Sequence, residues 1–231
     1  MQIDTDRLQN QLLELATPYL DCADSLYEQT RKNCVRTEYS RGGIGLHRGY
    51  YCPSPIDDII IGNVTRGRLY KNTPSKISPD YQYHFDAESH LCCVDYADCS
   101  RELIIHEEKL ELGLGYHVYN SVAEPVDTIS LCQYSDHRIE MFVIASYHHA
   151  HKSIYDCTVE FFSYQDDHLH FVDRIEQFKT SLNQWCTDQH RFLFSHDANG
   201  YLSEYVVYKT NLNGIAITDG ERYHITRKRL L

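Results

Sequence analysis

The chain has 231 residues, 42 % of them hydrophobic and 24 % charged, with a formal net charge of −11 at neutral pH. That balance supports a globular core rather than a disordered chain, and so acidic a surface repels nucleic acid. No stretch approaches the ~18–20 consecutive apolar residues of a membrane span. The first seven residues lack the basic start and apolar run of a signal peptide, so a cytoplasmic location is expected.

The charge is unevenly spread. Residues 40–79 hold two acids against six bases, whereas residues 80–219 hold twenty-three acids against eight bases. An acidic body steers basic partners toward itself, and it also keeps a protein soluble. Nineteen tyrosines suit half-buried sheet faces and binding surfaces alike. Nine cysteines without a C-x₂-C pair read as free thiols, not as a zinc framework.

Three segments follow in chain order within one expected domain, 1–231: a helical segment 1–39, a Gly/Pro-rich basic arm 40–79 and an antiparallel body 80–231. In the first, Leu8, Leu12, Leu15, Tyr19, Cys22 and Leu26 repeat at steps of four and three, which predicts an apolar helix face over 5–32. Asp4 or Thr5 can cap it. Pro18 must interrupt the hydrogen bonding, so one helix kinked there or two helices end to end are expected. In the arm, Gly43-x-Gly45-x-x-x-Gly49 differs from a nucleotide loop in spacing and context, since Pro53 and Pro55 follow at once. The run centred on Ile59, Ile60 and Ile61 predicts a buried strand over 56–64.

From residue 81 the grammar is strand, polar turn, strand. Hairpins are predicted for 81–85 with 91–96, 102–106 with 109–116, and 126–132 with 139–147. Two more follow, 157–164 with 169–173 and 191–195 with 201–208. Asp197-Ala-Asn199-Gly200 is the strongest turn signal, because Asn and Gly tolerate positive φ. Between these, Ile175, Phe178, Leu182 and Trp185 have helical spacing, which predicts a strand passing into a short helix that ends near Cys186. The fold class is therefore α+β, mostly antiparallel sheet, with the N-terminal helix packed on it.

Hydrolase, kinase and P-loop signatures are absent, and no cofactor is implied. The histidines offer one chemical alternative. His149 with His151, and His168 with His170, each place two rings on one side of an extended strand, and with His148 nearby such pairs could hold a metal. Polar residues on a wet sheet face give the same spacing. Glu107-Glu108 and Asp166-Asp167 are adjacent residues that point to opposite sides of a strand, so neither pair is an acid/base dyad.

The recurring form Phe85-Asp86…Leu91…Tyr96 and Phe194…Asp197…Gly200…Leu202…Tyr205 resembles the YD-type repeat of bacterial shell proteins. It also resembles the small acidic immunity proteins that neutralise bacterial polymorphic toxins. The second resemblance implies a cytosolic inhibitor that occludes a basic protein partner, such as a toxin domain, with an acidic, Tyr-rich sheet face. On that expectation Glu160, Asp166, Asp167, Glu204 and Tyr205 are the partner-binding residues. A metal-dependent protein built on His148 to His170 and a self-assembling structural module are the other readings.

Overall fold

The computed structural model describes residues 5–60, 66–180, 184–211 and 214–224. Two helices come first, α1 (Thr5–Ala16) and α2 (Ala23–Asn33). Pro18 has no N–H to continue the first, so the chain steps through turns closed by Tyr19 N to Ala16 O and Cys22 N to Tyr19 O before restarting. The deepest side chains are Leu12 and Ala16 on one helix and Ala23 and Tyr27 on the other, each pair four apart. Leu8, Leu15, Tyr19 and Leu26 are partly buried beside them. The expected apolar face therefore exists, carried by two helices.

Among the described residues fourteen strands follow: β1 (Arg36–Arg41), β2 (Arg68–Leu69), β3 (Tyr81–Phe85), β4 (Leu91–Tyr96), β5 (Ser100–Glu107), β6 (Leu110–Tyr119), β7 (Val122–Ala123), β8 (Thr128–Ser135), β9 (Arg138–His148), β10 (Ser153–Gln165), β11 (His168–Lys179), β12 (Trp185–His196), β13 (Leu202–Lys209) and β14 (Glu221–His224). They form one antiparallel sheet in the order β14-β13-β12-β11-β10-β9-β8-β6-β5-β4-β3-β1-β2, with β7 beside β6. All five hairpins expected from the sequence are present. The expected helix before Cys186 is not: 175–179 and 185–186 are strand, with Phe178 paired to Cys186, while Leu182 lies outside the described residues. Cross-strand pairing won there over a helical spacing shared by only a few residues.

The arm also departs from expectation. Pro55–Ile60 is a helix, α3, where a buried strand over 56–64 was expected; residues 61–64 lie outside the described residues. Ser54 Oγ accepts from the N–H groups of Ile56 and Asp57, Pro55 takes the first helical position, and Asp57 and Asp58 lie in the first turn.

Alternation along the strands divides the core between two faces. On one face Leu103, Leu112, Leu114, Tyr116, Ile129, Leu131 and Val143 meet α1 and α2. The opposite face is covered by the arm: Tyr50 and Tyr51 pack on Tyr81, Tyr83, Phe85, Val94 and Ile104, and Ile56 and Ile59 pack on Val172, Phe192, Phe194 and Tyr205. The aromatic strands of 157–209 thus obtain their second cover from a segment a hundred residues upstream.

Candidate functional site

The arm-covered face holds two buried ion clusters. The first centres on Arg48, which follows β1 in a left-handed conformation with φ 59° and is 2 % exposed. Its Nε and Nη2 each lie 2.8 Å from Glu102 Oε1, Nη2 donates to Ser130 Oγ at 3.2 Å, and Nη1 pairs with Glu111. Tyr96 donates to the other Glu102 oxygen at 2.9 Å. Burial alone would raise the Glu102 carboxyl, but Arg48, with His47 beside it, outweighs burial and holds it well below the ordinary carboxylate range.

The space for this cluster comes from a glycine. On β6 the sequence Leu112-Gly-Leu-Gly-Tyr116 sends Leu112, Leu114 and Tyr116 to the helix-covered face, leaving Gly113 and Gly115 on the other. A Cβ on Gly113 would overlap Glu102 Oε1, Ser130 Oγ and Arg48 Nη2. A mid-strand glycine commonly marks a close approach of this kind.

The second cluster joins α3 to the sheet. Ser54 Oγ donates to Glu160 Oε1 at 2.9 Å, and Arg174 Nη1 reaches the same oxygen at 2.7 Å and Asp57 Oδ1 at 2.6 Å. Arg174 Nε donates to Glu176 at 2.8 Å. Glu160 is 0 % exposed and its second oxygen has no hydrogen-bond partner among the described residues. Burial pushes this carboxyl up to about 7, against the pull of Arg174 and with Asp57 adding to the rise.

Glu160 is therefore not part of an exposed binding face. Tyr205, expected beside it, is also buried, packed among Phe192 and Phe194 and stacked on Tyr223. Glu204 is engaged by Arg222 and His224. Only Asp166 and Asp167 stand in the open. They form the two-residue turn between β10 and β11, both with positive φ, and Asp167 pairs with Arg138.

Those two belong to a longer row. In an antiparallel meander every second turn falls at the same end of the sheet, and five do so here: 86–90, 108–109, 136–137, 166–167 and 197–201. This rim carries Asp86, Glu88, Glu107, Glu108, Asp136, Asp166, Asp167 and Asp197, exposed apart from the half-buried Asp86. Two strand spacings separate neighbouring turns, about 10 Å, so the row extends about 40 Å.

The four histidines considered as ligands are not brought together. His149 and His151 occupy a 3₁₀ turn, not a strand, at the end of the sheet opposite the rim. His168 starts β11 at the rim, where its ring lies 4.9 Å from that of His196, and His170 sits against Phe171. Twelve steps along β10 separate the two pairs, about 40 Å. Among the described residues, the cluster with metal-ligand spacing is Asp86, Glu88 and His90, in an open turn. There Asp86 already accepts from the N–H groups of Glu88 and His90 and meets the His90 ring, which accounts for the arrangement as a turn.

At the end of the sheet away from the rim, between the arm and β6, lies a cavity of about 470 Å³. Ser100 Oγ there is 3.0 Å from His117 Nδ1, its cross-strand partner, and His117 Nε2 is 3.6 Å from Asp127 Oδ2. The order resembles a nucleophile relay, but the second step exceeds hydrogen-bond length and Asp127 instead accepts from Thr128 Oγ1 at 2.9 Å. All nine cysteines are free.

No family model matches the chain, and no curated protein matches it. The geometry alone carries the functional reading.

Arg48, Glu102 and Gly113 were not singled out from the sequence. The available signal was a charged residue within a glycine-rich arm together with glycines alternating with leucines in a strand, two irregularities that explain each other only once the arm folds back. Among the described residues, no helix is long and apolar enough to cross a membrane.

Proposed function

We propose that the chain is a cytoplasmic binding protein of the immunity or inhibitor type, which neutralises a basic protein partner by holding it against the acidic rim of hairpin turns. The observation that carries this reading is the row of five turns along one end of the sheet, each bearing at least one carboxylate. Charges on successive turns of a rigid sheet are preorganised, so they raise the association rate and fix orientation without ordering a loop first. Much of both sheet faces is covered by the helices and the arm, whereas the turns of the rim stand open. Asp166 and Asp167 keep their expected role, and Asp136 and Asp197 join them.

The test is the complex with the basic domain encoded by the neighbouring gene, compared between the wild-type chain and a variant with Asp136, Asp166, Asp167 and Asp197 changed to Asn. Asn tolerates the same turn conformations, so folding is retained. The reading expects a one-to-one complex whose association slows at least tenfold between ~50 and ~500 mM salt and slows similarly in the variant. A neighbouring gene without a basic domain, or an association rate indifferent to both changes, contradicts it.

A further inference from the structure

We propose that the cavity beside Gly115 is a binding site for a small organic cation carrying an ammonium or guanidinium group on a short hydrocarbon stem. This goes beyond the rim reading, because the cavity lies at the opposite end of the strands.

The first support is the pair of glycines on β6. The room left by Gly113 is filled by Arg48, Glu102 and Ser130, whereas a Cβ on Gly115 would meet only the neighbouring Thr128, at 3.1 Å. Gly115 borders the cavity, so a side chain there would press on Thr128 and narrow it. Its volume is in the range of small-ligand sites.

Charge gives the ligand's sign. Asp80, Asp98 and Asp127 line the cavity, and among the described residues none of them pairs with a lysine or arginine. Arg101 also lines the cavity, but its guanidinium is held by Asp24, Glu28 and Asp95. Glu102, also on the wall, has its charge met by Arg48. The field inside is thus negative, and it favours a cation over an anion. Ile144 and the Tyr81 ring provide apolar wall for a stem.

The experiment is a calorimetric titration of the whole chain with agmatine at low salt, with butyrate as the anionic control. One saturable site is expected, weakened at least tenfold in Asp98→Asn/Asp127→Asn, with no binding of butyrate. Amide shifts on the wild-type protein, read by NMR, must centre on Gly115, His117 and Thr128, which keeps the test valid if the variant folds poorly. Absence of saturable agmatine binding, equal binding by the variant, or shifts confined to the rim turns overturns the proposal. The rim variant should bind agmatine as the wild type does, so failure of one proposal is separable from failure of the other.

Discussion

The two buried clusters perform the same task and meet opposite electrostatic fates. Each joins the arm to the sheet through a carboxylate that is 1 % or less exposed, Glu102 by Arg48 and Glu160 by Ser54. Glu102 is surrounded by donors on both oxygens, from Arg48, Ser130 and Tyr96, and is held ionised. Glu160 has both donors on one oxygen, none on the other, and shares the Arg174 Nη1 group with Asp57. Burial is common to both, so the neighbouring charges, not depth, decide which carboxylate stays ionised: Arg48 and His47 favour the Glu102 anion, whereas Asp57 works against Arg174 at Glu160.

The largest expected effect comes from removing the cations. Arg48→Met leaves Glu102 and Glu111 without a counter-charge in the core and should cost about 3–5 kcal/mol by chemical denaturation at neutral pH. Arg174→Met should cost less, about 1–2 kcal/mol, because Glu160 can take up a proton instead of remaining as an unpaired charge. Equal losses would break the comparison.

The pH dependence has the next largest effect, and its sign differs between the clusters. Glu160 is raised from 4.5 to about 7. Below 4.5 both folded and unfolded chains hold its proton; between 4.5 and 7 only the folded chain does, so this group's contribution to stability falls as pH rises and stays low above 7. At 1.36 kcal/mol per unit the fall is on the order of 3 kcal/mol. Glu102, being depressed, contributes stability that is present above the ordinary carboxylate range and lost as pH drops through its folded value. Glu160→Gln should therefore flatten the stability profile between pH 4.5 and 7 and leave the acid limb intact, as followed by thermal melts across pH.

Smaller effects separate the glycines and the rim. Gly113→Ala should cost about 1–3 kcal/mol by forcing the Arg48–Glu102 contact apart, whereas Gly115→Ala should cost under about 1 kcal/mol. Asp166→Asn with Asp167→Gly supplies the favoured hairpin dipeptide, so stability should stay within about 0.5 kcal/mol of wild type or rise, while association with a basic partner slows.

The hairpins and the N-terminal helices were legible in the sequence because each is a local pattern: period two with polar turns, or apolar residues at steps of three and four. Helix α3 was misread because Ile59, Ile60 and Ile61 suggest a strand, while Ser54, Pro55 and the acids after them carry the helix start in less conspicuous residues. Glu160 was misread for a different reason. Its strand is apolar on both sides, and a carboxylate there looks like a surface residue until Ser54 and Arg174 are brought to it from 106 and 14 residues away. Contacts of that separation leave no periodic trace. The rim, by contrast, was half visible: every hairpin was found, and only the meander order places the five turns on one edge.

The most direct test is a carboxyl ¹³C NMR titration that follows Glu102 and Glu160 in the same sample. Unequal charge compensation predicts that Glu160 titrates near pH 7 while Glu102 stays ionised to the acid limit of the folded state. Two carboxyls titrating together in the ordinary range would contradict it.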